Sequence, residues 1–403
     1  AFGDASMNEL VDKALARNTD VLLSIARVDE ARALAQAADS ARLPTLNAGA
    51  GIGASHSLGP TGISTHRSIQ PELQASWELD LWDRVRAQSR ASSLQYLASQ
   101  AERDGVALAV AASTARAWVT LLALDEQLRI TRGTADARAE ALRLASDQAR
   151  VGYISQLQLT QAQSEHEAVL QAIPQLELAV RRQENALRVL TGEAPGAIAR
   201  TASLPALRLP ALPSALPSEL LVRRPDVVQR ELLLAATDAA LDARRAAFMP
   251  QVNLSASIGA LLTNGLDYNP ETIWSLGGSI LAPVFNAGRL AAQVDAATAQ
   301  RDQAAYAYRG TVLAAFGEVE NTLGGVGRLE EQMEHSQKRR AVLARTLDFA
   351  RDRYQAGYAP YLEVLDAQRA LYQVQLDAVT LRQNQLNNVI DLYRALGGGW
   401  QRD

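Results

Sequence analysis

Leu362, Asp366 and Arg369 are spaced four and three residues apart. That spacing stacks them on one face of a helix, turn upon turn. Taken alone, such a face is solvated and carries an ordinary acid–base ion pair. The other reactive side chains offer less. His56, His66, His166 and His335 are scattered without the spacing of a metal-ligand set. His56 and His66 fall in one segment and could hold a metal only weakly. The absence of cysteine removes disulfides, thiolate metal sites and a cysteine nucleophile. Gly49-Ala50-Gly51-Ile52-Gly53 has the glycines of a dinucleotide loop, but strand-like residues follow it instead of a helix. No serine–histidine–acid set and no working pair of carboxylates can be assembled. No catalytic residue, cofactor or resident metal is therefore expected, and the chain does not read as an enzyme.

Bulk properties narrow the partners. The net charge is −4, and no basic face stands out, which argues against nucleic acid. The 403 residues are 48% hydrophobic and only 5% aromatic. Such a length calls for two or three domains or an extended shape. No apolar run approaches the roughly 20 residues of a membrane-spanning helix. If the chain crosses a membrane it must do so as a β-barrel, since helices and closed barrels alone satisfy every backbone group in lipid. It begins at Ala1 without a signal peptide and reads as a processed or trimmed product.

The elements that position these residues are written twice. Arg17-Asn18-Thr19-Asp20-Val21 reappears as Arg223-Arg224-Pro225-Asp226-Val227. Pro44-Thr45-Leu46-Asn47 reappears as Pro250-Gln251-Val252-Asn253, and Gly152-Tyr153 as Gly357-Tyr358. The offset stays at about 205 residues, which is the mark of a duplicated unit. Each unit reads helix, strand, strand, long helix, tight turn, helix. The first repeat covers 1–203, with an opening helix over 5–42, strands near 44–55 and 68–80, a long helix over 86–150 and a closing helix over 155–190. A proline-punctuated linker spans 204–217. The second repeat covers 218–403, with strands near 250–262 and 272–284 and helices over 218–247, 288–354 and 360–395. Polar, glycine-rich loops are expected at 56–67 and 263–271.

The strands alternate. Val252, Leu254, Ala256, Ile258, Ala260 and Leu262 face one way, and Asn253, Ser255, Ser257 and Gly259 the other. The pattern fits a half-buried soluble sheet, but the strand length and the carboxylates and glycines of the polar face favour a barrel with a watery lumen. Four strands leave two open edges in lipid, so closure demands several chains, and three copies give twelve strands.

The 86–150 helix would measure ~98 Å, too long for one globular core. Ala111, Ala115, Trp118 and Leu122 form one apolar stripe, and Ala117, Leu121, Leu124 and Leu128 a second beside it. Two stripes let a helix pack on both sides, as in the wall of a cylinder. Gly105, Gly324, Gly325 and Gly327 should weaken the long helices locally.

Motifs strung along the chain complete the picture. They include Trp77-Glu78-Leu79-Asp80-Leu81-Trp82, Leu220-Leu221 with Arg223-Arg224-Pro225-Asp226-Val227, and Ala246-Ala247-Phe248-Met249-Pro250. Pro283-Val284-Phe285, Leu365-Asp366-Ala367-Gln368-Arg369 and the ending Leu396-Gly397-Gly398-Gly399-Trp400 follow. In this order they resemble the TolC/OprM-type outer-membrane efflux proteins, in particular the lipoprotein, NodT-like branch. The resemblance implies a mainly α chain with a transmembrane β part. Its members are homotrimers with a twelve-stranded outer-membrane barrel, a periplasmic helical barrel and an equatorial region around the linker.

The resemblance further implies an exit duct for drugs, small toxic compounds or metal ions. Such a duct is docked through a periplasmic adaptor to an inner-membrane pump of the RND type. It places the closed periplasmic gate at Leu362, Asp366 and Arg369, where a leucine ring narrows the pore and an aspartate ring gathers negative charge. Gly152, Tyr153, Gly357 and Tyr358 become the adaptor-docking tips. Lipoprotein members carry an acylated cysteine at the mature N-terminus, and an anchor of that kind is expected ahead of this chain. Members of the family often place an acid just before the first tip turn, where this chain has Arg150. Two alternatives stand beside this reading: a type I protein-secretion duct, and a soluble coiled-coil scaffold with a small β domain.

Overall fold

A computed structural model describes residues 2–59, 62–210, 223–264 and 270–398. Linker residues 211–217, the Leu220-Leu221 motif, loop residues 265–269 and Gly399-Trp400 lie outside the described residues.

In chain order the elements are α1 (Ala5–Arg17), α2 (Thr19–Ser40), β1 (Thr45–Gly59), β2 (Gly62–Leu79), α3 (Arg84–Arg150) and α4 (Gln156–Leu190). A single 3₁₀ turn at Leu204–Ala206 follows. Then come α5 (Pro225–Ala246), β3 (Gln251–Thr263), β4 (Glu271–Leu281), α6 (Arg289–Gln355) and α7 (Tyr361–Ala395).

The opening helix expected over 5–42 is in fact two helices, and Asn18 is the reason. Its backbone is extended, its N–H closes α1 on Ala14 O, and its Oδ1 accepts from the Asp20 N–H at 2.9 Å to start α2. Asparagine caps helices this way, at the expense of a continuous one.

The four strands form one antiparallel sheet in the order β1-β2-β3-β4. The loop expected over 56–67 is also corrected. Pairing runs unbroken from Thr45↔Ser76 to Gly59↔Gly62. Polar residues do not stop a ladder whose backbone groups find partners, and His56 Nδ1 even bonds Thr65 Oγ1 across it at 2.7 Å. On its other side, β2 pairs with β3 at Ser68 and Ile69 and again from Glu72 to Leu79. The gap falls at Gln70 and Pro71, because proline has no N–H to give.

Two compact units emerge, and each draws on both halves of the sequence. One comprises Ile25–Glu102 and Asp226–Thr311 and contains the sheet. There Trp77 Nε1 donates to Arg42 O at 3.0 Å, and Trp82 Nε1 to Pro250 O at 2.8 Å, tying the strand ends to the residues just ahead of β1 and β3.

The other unit comprises Ala1–Ser24, Arg103–Pro225 and Val312–Asp403. Its main core gathers Trp118, Val119, Leu121, Leu187 and Leu386, all fully buried. Trp118 carries its indole N–H inside by donating to Asp4 Oδ2 at 2.6 Å. The first apolar stripe of α3 is wholly buried, whereas of the second only Leu121 is.

This stretch also corrects a sequence expectation. An 18-residue window of α3 is apolar enough, by length and composition, to cross a membrane. More than half of it is buried, because its side chains build a helix-packed core.

The repeat is visible in the contacts of this unit. Asn18 Nδ2 donates to the last carbonyl of α4, Leu190 O, at 3.0 Å. At the matching place, buried Arg224 donates through Nη1 to the last carbonyl of α7, Ala395 O, at 3.1 Å. Gln183 Nε2 reaches Ala117 O at 2.8 Å, and Asn388 Nδ2 reaches Thr322 O at 2.8 Å. One glycine of the 324–327 cluster is thereby explained. A β-carbon on Gly325 would stand 2.5 Å from Asn388 Oδ1, so glycine admits the amide that ties α7 to α6.

Candidate gate and helix tips

The tip turns follow from glycine. Gly152 has φ 79° and Gly357 φ 76°, the left-handed conformation that ends a helix. Tyr153 N–H returns to Gln148 O at 2.9 Å and Gly152 N–H to Ala149 O at 3.1 Å. Tyr358 N–H to Arg353 O at 2.9 Å and Gly357 N–H to Tyr354 O at 3.0 Å repeat this paired closure. Tyr153 and Tyr358 are left pointing into solvent, 84% and 81% exposed. Ser155 then restarts the chain as α4 through a capping box with Gln158.

Behind the turns lies a separate small core of Ala145, Ala162, Leu347, Tyr361, Val364 and Leu365. Tyr354 lies against Tyr361 at 5.2 Å between ring centres and donates its hydroxyl to Gln148 Oε1 at 2.9 Å. This core fixes the rotation of α7. Val364 and Leu365 point in, while Leu362 and Asp366 are exposed on the opposite side.

The three residues singled out from sequence share that exposed face, but the pairing among them has two layers. Arg369 Nη1 donates to Asp366 Oδ1 at 3.0 Å, and both side chains are about half exposed or more. An exposed pair of this sort contributes ~0.5 kcal/mol. Arg369 Nη2 also donates to Glu165 Oε1 on α4 at 2.5 Å. Arg138 on α3 completes the set, donating through Nη1 to Glu165 O at 2.6 Å and lying 3.0 Å from Glu165 Oε2. The Arg138 and Glu165 side chains are only 7% and 14% exposed, and the guanidinium also faces the Tyr372 ring.

Charge pairing sets the protonation. The hydrogen bond from Arg369 holds the Glu165 carboxyl below its usual range, against the opposing effect of burial. Burial lowers the Arg138 guanidinium, with Glu165 working the other way. Asp366 is thus loosely held by an arginine that Glu165 holds firmly.

Arg138 and Glu165 went unrecognised in the sequence. Arg138 is one of many arginines on α3, and Glu165 is far from Arg369 along the chain, so no local spacing links them. Arg150, just ahead of the first tip turn, pairs with Asp147 at 3.0 Å on an exposed surface. The weak metal reading at the outer hairpin has no geometry behind it. His56 pairs with Thr65 and His66 with Ser55, so the two imidazoles fall on opposite faces of the sheet. Among the described residues no group of three potential ligands converges on a metal position.

The fold and the two-faced sheet define a class, the outer-membrane channels of efflux pumps. The profile of the family "Outer membrane efflux protein" matches residues 10–193 and again 216–398, and the chain belongs to that family. The pyoverdine export outer membrane protein OpmQ of Pseudomonas aeruginosa is 35% identical over 414 residues, covering 100% of this chain and 87% of that protein. The cation efflux system protein CusC of Escherichia coli is 32% identical over 405 residues, covering 100% and 88%.

Among solved structures, a CusC crystal structure superposes with a TM-score of 0.92 at 31% identity, over 99% of this chain and 93% of that one. The open-state MtrE channel of Neisseria gonorrhoeae gives 0.89 at 28% identity, over 100% and 91%. The chain therefore has the mainly α fold with four transmembrane strands that these channels share. It is an outer-membrane efflux component that extends into the periplasm, a transporter and not an enzyme.

Proposed function

We propose that three copies of this chain close a twelve-stranded barrel and form a passive exit duct, gated where Leu362, Asp366 and Arg369 line the periplasmic end. The observation that carries this reading is the sheet. Its apolar face is bare, with Ile52, Trp274 and Leu276 each more than 70% exposed, and it ends at two edge strands, β1 and β4, each with its outer side open in this chain. A bare apolar face suits lipid, and open edges in lipid must be sealed by neighbouring strands. Threefold symmetry turns Leu362 into an apolar constriction and Asp366 into a ring of negative charge that favours cations. The chain's organisation is then a first repeat over 1–203, an equatorial linker over 204–217 and a second repeat over 218–403.

The partners in this reading are outer-membrane lipid, a periplasmic adaptor received at Gly152-Tyr153 and Gly357-Tyr358, and an inner-membrane pump, for which the RND type is favoured. The exposed tyrosines Tyr153 and Tyr358 on tight turns make amphipathic anchors for such an adaptor. The cargo follows the pump, and pyoverdine and cations are the cargoes named for the relatives above. The test is the mass of the purified complex in mild detergent, together with its conductance in a planar bilayer. A trimer with a small closed-state conductance that rises in an Asp366→Ala variant is expected. A monomer, or an unchanged conductance, overturns the duct or the gate respectively.

A further inference from the structure

The lipid-facing side of the first hairpin is apolar or small along most of its length. Register sets which residues share that side: Leu46 with Ala75, Ala48 with Leu73, Ala50 with Pro71, Ile52 with Ile69. Two residues further on, the same alternation turns Arg67 outward beside Ala54, and His56 outward beside Thr65. Both are exposed. Arg67 and His56 are diagonal neighbours across the ladder, about 7–8 Å apart between backbones, within reach of one shared ligand.

Their height decides what they meet. From Leu79 to Ile69 the strand rises ~34 Å at ~3.4 Å per residue, or ~25 Å across a bilayer when tilted by ~45°. That is the height of the apolar band on an outer-membrane barrel, about 25 Å. Arg67 and His56 begin where the band ends. They sit toward the hairpin turn, away from the helices that continue from the other strand ends, and hence on the outer-leaflet side. A cation here is at headgroup level and outside the hydrocarbon.

The position is built and not frayed. Asn264, just past β3, clasps the segment from the side. Its Oδ1 accepts from Arg67 N–H at 2.7 Å, its Nδ2 donates to Thr65 O at 3.0 Å, and its own N–H donates to Arg67 O at 3.2 Å. His56 Nδ1 is engaged by Thr65 Oγ1, and in the tautomer where Nδ1 accepts, Nε2–H is left as an outward donor. A guanidinium fork beside an imidazole donor, held against a lipid face, suits a phosphate oxyanion.

We propose that Arg67 and His56 bind the phosphate of a phosphorylated outer-leaflet lipid headgroup, with Ile52 and Ile69 below them against the acyl chains. The inference rests on the barrel reading above. The site fixes the vertical position of the channel in the membrane and takes no part in conduction.

The test uses the full chain, purified as the assembled channel in mild detergent, with lipid retention read by native mass spectrometry. The probes are bis-phosphorylated lipid A, the same lipid with both phosphates removed, and inorganic phosphate. Wild type is expected to retain the phosphorylated lipid about tenfold more than the Arg67→Ala/His56→Ala double variant, the size of one or two charge-assisted bonds. Arg67→Lys should retain an intermediate amount, and the dephosphorylated lipid should not discriminate between proteins. Equal retention of phosphorylated lipid A by wild type and double variant, with the trimer intact, overturns the site alone. Inorganic phosphate that binds as tightly as the lipid overturns the assignment to a lipid. Failure to find a trimer overturns the barrel reading and this site with it.

Discussion

A β-carbon on Gly192 would stand 2.5 Å from the carbonyl oxygen of Arg17. Gly397 approaches Arg223 O in the same manner, at 2.8 Å, and both glycines have positive φ. The two halves of the chain thus share one joint, in which the glycine just after the closing helix meets the carbonyl two residues ahead of α2 in one half and of α5 in the other. Gly192→Ala and Gly397→Ala should each lower stability by roughly 2 kcal/mol or more, from backbone strain together with the collision. Gly327→Ala should instead stabilise by about 0.5–1 kcal/mol, since nothing stands near it and alanine favours helix. Thermal melting of the three variants in detergent checks the contrast, and equal melting temperatures would refute the joint.

At the tip, Glu165 carries the structural charge pair and Asp366 the one that faces outward. Glu165→Gln leaves Arg138 buried without its anion and should cost about 3 kcal/mol. Asp366→Asn loses only an exposed pair and should cost under about 0.5 kcal/mol while weakening cation preference. Denaturation midpoints and reversal potentials in a salt gradient separate the two effects. A stability loss of similar size in both variants would contradict the two-layered arrangement.

Acid should act through Glu165. Its folded-state carboxyl lies below the unfolded value because Arg369 bonds it. The stabilisation is therefore present above the unfolded value, about pH 4.3 for glutamate, and is lost as pH falls through the depressed folded one. Conductance of the closed channel should rise on acidification below about pH 4. The Glu165→Gln variant should be high and flat over the same range, and an identical pH profile in both proteins would exclude this carboxyl.

The sheet predicts a face-dependent tolerance. Leu276→Arg puts a charge toward lipid and should cost ~2–4 kcal/mol near mid-membrane, whereas Ser275→Arg puts it toward the lumen and should be tolerated. Folding yield into lipid vesicles tells them apart. Equal yields would mean that the polar and apolar faces are not lumen and lipid.

Much of this architecture is legible in the sequence. Period-two alternation marked the strands near 68–80 and 250–262, and the tip glycines stood out because a left-handed turn at a helix end favours glycine. What escaped depended on distant pairing. Asn18 looks like one more polar residue in a helical run until its side chain is seen capping α2 and holding Leu190 O. Residues 56–67 read as loop because composition cannot report that both backbones still have partners. The Glu165–Arg369 bond joins helices from different halves, and no periodicity within either half encodes it. Gly325 likewise made sense only once Asn388 was found filling the space a side chain would take.

The gap in the ladder at Pro71 falls on the seam where β2 meets β3, a junction of the two sequence halves. β1 and β2 are consecutive in the chain, but β3 follows only after α3, α4 and α5. Throughout that interval the first hairpin has two raw borders and an oily flank with nothing to lie against. Before the sheet is complete, those borders and that flank are the chain's most aggregation-prone surface.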